Sequence, residues 1–334
     1  MSTQIDLLRV FAACSIFYYH VGLCTKWPLS QWGEYGVGTF IYLTSYCALR
    51  FSKPQAWPDY ICSRLKKIYP TFATITLILF AASYIYRPHK TMSHYTIPGL
   101  LANLGMIAQY TGVPLFTTPM WFMPFLFQIY FIIPFLKRRP IGMGFIPLGF
   151  IFSGIACGAV WTFQPADATE VSRNWSPIFR LPEVLIGVVL ASSKNISSTE
   201  GAVGLYAIFC LFSASLAIPY PHASYTALLP ARDLLVFLIL FILTRTTLAL
   251  LKSEQHGFLS LLGRATFPFF LLSGVGNNFV WIHFGSNLLA WIPYFMLCWG
   301  VSMMIVVAGG AIRPKLRSGH RREPLQSNDF ALKK

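Results

Sequence analysis

Charge is what this sequence has least of. Only 11% of its 334 residues are Asp, Glu, Lys or Arg, against about 25% in a soluble domain. A water-facing surface needs more polar cover than that, so a soluble globular enzyme is excluded. Acidic residues are the scarcest part, 11 against 26 Lys and Arg. Paired cysteines are lacking too. The seven cysteines (Cys14, Cys24, Cys47, Cys62, Cys157, Cys210 and Cys298) are odd in number, form no C-x-x-C and mostly lie in apolar runs. That pattern argues against a disulfide framework or a metal site. No basic leader or small-residue cleavage site accompanies the apolar stretch from Ile5, which is therefore expected to be a retained span. No internal repeat appears at a fixed spacing, which weighs against an inverted-repeat transporter.

What is present is apolar length. Apolar residues make up 55% of the chain, and the mean hydropathy is +0.57. A helix crossing the hydrocarbon core takes about 20 such residues. The expected fold is all-α, a polytopic transmembrane bundle of about ten spans. They fall at 5–24, 35–51, 68–86, 118–136, 141–163, 178–192, 202–219, 231–250, 262–282 and 288–311. The stretch 98–110 is apolar but short and holds Asn103 and Gln109, so it is expected to be a helix lying in a long loop. One transmembrane domain over 1–312 and a basic cytoplasmic tail over 313–334 account for the whole chain.

The net charge of +15 follows from loop bias rather than from nucleic-acid binding. With the N-terminus inside, nineteen Lys and Arg fall on inner segments and six on outer ones, with Arg9 counted apart. Both termini are therefore expected in the cytoplasm, and the lipid bilayer is the first partner.

Several polar residues stand where a membrane tolerates few. Arg9 and His20 share the first span, eleven residues apart. At about 100° per residue they lie on one helical face, with His20 about 16 Å further along. Asp6 is placed to pair with Arg9 at i, i+3. Arg64 and Lys67 share a face at the start of the third span, where Pro70 is expected in the first turn. Positive-inside anchoring and a grip on an anionic ligand are both open to them. Trp121 and Gln128, seven apart, share a face of the fourth span. Arg180 and Glu183 are spaced for a local ion pair at the membrane surface. These four are candidates to bind an acceptor or to line a pore.

Taken in order, these segments resemble the acyltransferase 3 family of integral-membrane acyltransferases. Arg9 and His20, with ten residues between them, match its first-span signature. Gly36-Val-Gly-Thr-Phe-Ile-Tyr-Leu-Thr-Ser-Tyr46 looks like its G-V-x-x-F-F-x-L-S-G-F, and Arg64-Leu-Lys-Lys-Ile-Tyr-Pro70 is similar to R-x-x-R-I-Y-P. Phe179-Arg-Leu-Pro-Glu-Val-Leu-Ile-Gly187 resembles F-R-L-P-E-F-L-x-G. Where many members have W-S-L-S-V-E-x-Q-F-Y, this chain keeps Trp121, Gln128 and Tyr130 but carries Leu126 at the Glu position.

The resemblance implies transfer of an acyl group, usually acetyl, from cytosolic acyl-CoA to a hydroxyl of a surface or exported polysaccharide. The acceptor would be a polysaccharide or lipid-linked glycan, and the location the plasma (bacterial inner) membrane. Arg9 and His20 would be catalytic, with Arg64 and Lys67 holding the acyl-CoA. No permanently bound cofactor is implied, since acetyl-CoA enters as a donor substrate. The alternative from another class is a proton-coupled secondary transporter of a small anion or sugar.

Overall fold

The computed structural model describes residues 2–25, 30–52, 55–85, 96–116, 118–137, 142, 144–163, 176–192, 229–251, 256–274, 280, 285 and 287–317. The expected span 202–219 and the tail beyond Arg317 lie outside them. The described residues form ten α-helices and no strand. In chain order these are α1 (Ser2–Thr25), α2 (Gly36–Arg50), α3 (Trp57–Ile85), α4 (Ile97–Leu104) and α5 (Phe122–Leu136). There follow α6 (Phe145–Phe163), α7 (Leu181–Ser192), α8 (Leu229–Leu250), α9 (His256–Ser273) and α10 (Leu288–Arg317). The chain is an all-α membrane bundle. Four segments are long and apolar enough to cross a bilayer unaided: Thr3–Gly22, Pro119–Leu136, Arg232–Leu250 and Leu289–Gly309.

Burial explains why other helices are shorter or more polar. α2 and α7 have 15 and 12 residues, and most of their side chains are buried against neighbouring helices. A helix walled by protein faces no lipid, so neither its length nor its polarity is set by the hydrocarbon. α1 packs against α9, α2 and α8, while α2 packs against α7 and α8. Small residues permit these approaches. A Cβ on Gly187 would stand 2.5 Å from the Tyr42 carbonyl oxygen, and one on Gly263 2.2 Å from Asp6 Cβ. Larger side chains there would push α7 off α2 and α9 off α1.

One expectation changes. α3 begins at Trp57, eleven residues ahead of the expected 68, so Pro70 sits inside the helix rather than in its first turn. The hydrogen bond it forfeits is to the Lys66 carbonyl, at a turn where Lys66 and Lys67 are exposed. The 98–110 stretch forms a helix as expected, α4, and it is tied to α3. The Tyr69 hydroxyl of α3 donates to the Leu104 carbonyl at 3.1 Å. Thr96 caps α4 by accepting from Gly99 N at 3.1 Å. Buried Asn103 holds the return, donating to the Gly99 and Pro114 carbonyls at 2.9 and 3.2 Å and accepting from Phe116 N at 3.3 Å. Irregular backbone packed against an apolar helix persists only where its polar groups are satisfied in this way.

Candidate active site

The polar residues of α1, α3 and α9 converge at one end of the bundle, where these helices begin and α2, α5 and α10 finish. Arg9 projects from α1, pairing with Asp6 at 3.4 Å and donating to Cys47 Sγ of α2 at 3.5 Å. Arg64 of α3 lies over two rings, 4.9 Å from the Tyr60 centroid and 5.5 Å from that of Tyr130 on α5. This stacking fixes the plane of the guanidinium. Lys67 follows one turn later and is exposed. Arg264 enters from α9, where its Nε donates to the Ser260 carbonyl at 3.3 Å.

Arg9, Arg64, Lys67 and Arg264 line one cavity of about 360 Å³. No acidic residue is among the described residues lining it. Its other walls are mostly apolar, with Thr44, Thr71 and Thr266 supplying hydroxyls. Four cations facing a partly apolar cleft create a field that favours an anion with an apolar body. Of the residues singled out from the sequence, Arg9, Arg64 and Lys67 meet here. Arg264 is the addition, hidden in the sequence among inner-loop charges.

His20 is elsewhere. It is 7% exposed near the end of α1, its ring 5.4 Å from that of Tyr19. It shares the face of Arg9 but does not line the cavity. Phe40, Phe122 and Phe270 lie furthest from the cavity's charged end on their respective helices. Their centroids are 6.3 Å (Phe40–Phe122), 6.0 Å (Phe40–Phe270) and 5.3 Å (Phe122–Phe270) apart.

Arg180 and Glu183 form a second constellation, at the opposite ends of the helices. They form the expected i, i+3 ion pair at 3.1 Å, and both are enclosed by protein, with Arg180 1% exposed and Glu183 fully buried. Asp233 of α8 joins them by a direct ion pair to Arg180. Asp233 itself packs on Gly38, where a Cβ would stand 2.4 Å away. Sequence spacing missed Asp233, although an acid within an apolar run was a signal. Trp121 and Gln128 fall outside both groups. The α5 face lining the cavity is Phe122, Leu126 and Tyr130, roughly opposite the other two at about 100° per residue. Gln128 instead donates to the Tyr110 hydroxyl beyond α4.

Fold and cavity together define a polytopic membrane protein with a cavity lined by four cations. The chain belongs to the acyltransferase 3 family: the family model, described as an acyltransferase domain, matches residues 2–313. It is a membrane acyltransferase. No curated protein and no solved structure matches the chain.

Proposed function

We propose that this protein moves an acyl group, acetyl above all, from cytosolic acyl-CoA to a hydroxyl of an exported or surface polysaccharide. The observation that supports this reading is the convergence of Arg9, Arg64, Lys67 and Arg264 on one cavity in a chain of acyltransferase lineage. Coenzyme A carries its phosphates at one end of a long neutral arm and its thioester at the other. The cations take the phosphates, Arg64 as a stacked fork and Lys67 as a point charge. The positive-inside count puts this end of the bundle in the cytosol, where the donor is made. Both termini then lie inside, in the plasma membrane of the cell.

His20 is the base in this scheme. Its imidazole, on the same face of α1 as Arg9, takes the proton of the sugar hydroxyl as that oxygen attacks the thioester carbonyl. The tetrahedral intermediate collapses by breaking the C–S bond, and the proton passes on to the departing thiolate. The ester forms, free coenzyme A remains on the cytosolic side, and His20 is restored neutral. No metal and no resident cofactor enters these steps.

The direct test compares glycans from cells with and without the protein by mass spectrometry, alongside acetyl-CoA consumption by the purified protein. Added acetyl on a surface glycan and release of free coenzyme A are expected. Identical glycans in the two strains, with no acetyl-CoA consumed, would sink the proposal.

A further inference from the structure

The cavity has two unlike ends. Its mouth holds the four cations, and its inner end is closed by Phe40, Phe122 and Phe270, three rings in mutual contact. On α2, α5 and α9 the rings stand six to eight residues from Cys47, Tyr130 and Arg264 of the mouth. That places them about 9–12 Å further in along each helix. No cation is among the described residues lining that inner end. The lining hydroxyls of Thr44 and Thr266 sit between the two levels, and that of Thr266 already donates to the Gly263 carbonyl at 2.7 Å. Leu126, on the same face of α5 as Phe122, adds apolar wall where the pattern it resembles has Glu.

We infer that Phe40, Phe122 and Phe270 form a filter on the donor's acyl group, admitting uncharged acyl groups and rejecting those that end in a carboxylate. This rests on the acyl-CoA reading above. When the phosphates occupy the mouth, the acyl end is the part of the donor that reaches the rings. An acetyl or butyryl group meets an apolar surface there and keeps its contacts. A succinyl group brings a free carboxylate to a level where the described lining holds no cation and three aromatic rings, and an unpaired charge there is expensive to desolvate. The rings are therefore specificity residues, not catalytic ones. They touch the group being transferred without taking part in bond making.

The experiment is equilibrium binding of coenzyme A, acetyl-CoA, butyryl-CoA and succinyl-CoA to the purified full-length protein by calorimetry. The wild type is expected to bind acetyl- and butyryl-CoA at least as tightly as coenzyme A, and succinyl-CoA at least about tenfold more weakly than acetyl-CoA. Phe122→Lys should close most of that gap by giving the carboxylate a partner, while Phe122→Leu should preserve it. Phe40→Lys serves the same purpose should the first variant fail to fold, and the wild-type panel tests the filter by itself. Equal binding of succinyl- and acetyl-CoA to the wild type would overturn the filter while leaving the acyl-CoA site standing. A gap unchanged in a folded lysine variant would do the same. Failure of coenzyme A and all three esters to bind would overturn the site, and the filter with it.

Discussion

The protein keeps arginines at both ends of its bundle and uses them in opposite ways. Arg180 is enclosed, with Glu183 and Asp233 drawn against it from α7 and α8. Arg9, Arg64 and Arg264 stand around open space, one paired with Asp6 at 3.4 Å and one laid over aromatic rings. Enclosure makes a charge part of the architecture, because every partner is protein and none is exchangeable. Space beside a charge leaves its field available to a ligand. The same residue type therefore reads as a lock at one end and as a receptor at the other.

The largest expected effect tests whether the receptor end works without the residue set further along α1. His20→Ala should lower acyl transfer by about 10²–10⁴, while donor binding and the protein's level in the membrane stay close to wild type. A variant retaining more than about a tenth of wild-type turnover would make His20 a packing residue. The contrast between the ends would then say nothing about chemistry.

Arg180→Met comes next, and it acts on stability. Removing the cation leaves Glu183 and Asp233 facing each other in a buried site, at a cost of about 3–5 kcal/mol. Thermal unfolding in detergent and abundance in the membrane should both fall, and activity should fall only as far as folded protein does. Normal stability with lost turnover would move this cluster from architecture to catalysis and erase the contrast.

At the cavity, Arg64→Ala and Lys67→Ala should do the reverse. Each removes a charged hydrogen-bond donor to the donor's phosphates, about 1.5–3 kcal/mol, so KM for acyl-CoA should rise about ten- to a hundredfold. kcat at saturating donor and membrane abundance should change little. If the two residues only anchor α3, abundance falls and KM stays put. Steady-state kinetics on matched amounts of protein separate these outcomes.

How much of this was legible in the sequence follows from what periodicity encodes. It reports which residues share a face of one helix, and on that ground Arg9 with His20, Arg64 with Lys67, and Arg180 with Glu183 were readable. It does not report what the face meets. Trp121 and Gln128 share a face, but that face meets Tyr110, while the cavity takes Phe122, Leu126 and Tyr130. Asp233 stands 53 residues from Arg180, beyond any local pattern. Arg264 looked like one more inner-loop charge until α9 packed against α1. The start of α3 lies ahead of its apolar run for a related reason. Hydropathy marks where lipid begins, whereas the helix continues through Arg64 and Lys67 into the region of the cation-lined cavity.

The smallest expected effect compares an acid from each end. Asp6 sits at the charged mouth with Arg9 at 3.4 Å, and it also accepts from Ser260 and feels the Arg264 charge. It resembles Asp233 in being buried, at 8% exposure, but its arginine is only half enclosed and borders open space. Asp6→Asn keeps the shape packed against Gly263 and keeps an acceptor for Arg9 and Ser260, so only the charge is lost. An ion pair whose cation reaches solvent is worth about 0–1 kcal/mol, and stability should change by no more than that. Freed of a competing carboxylate, Arg9 and Arg264 should hold the donor's phosphates slightly better, so KM for acyl-CoA should fall by less than about tenfold. Asp233→Asn, made in parallel, should cost more stability and leave KM unchanged. If Asp6→Asn proved the more destabilising of the two, the cavity end would be the lock, and its cations would be held for the fold rather than for a ligand.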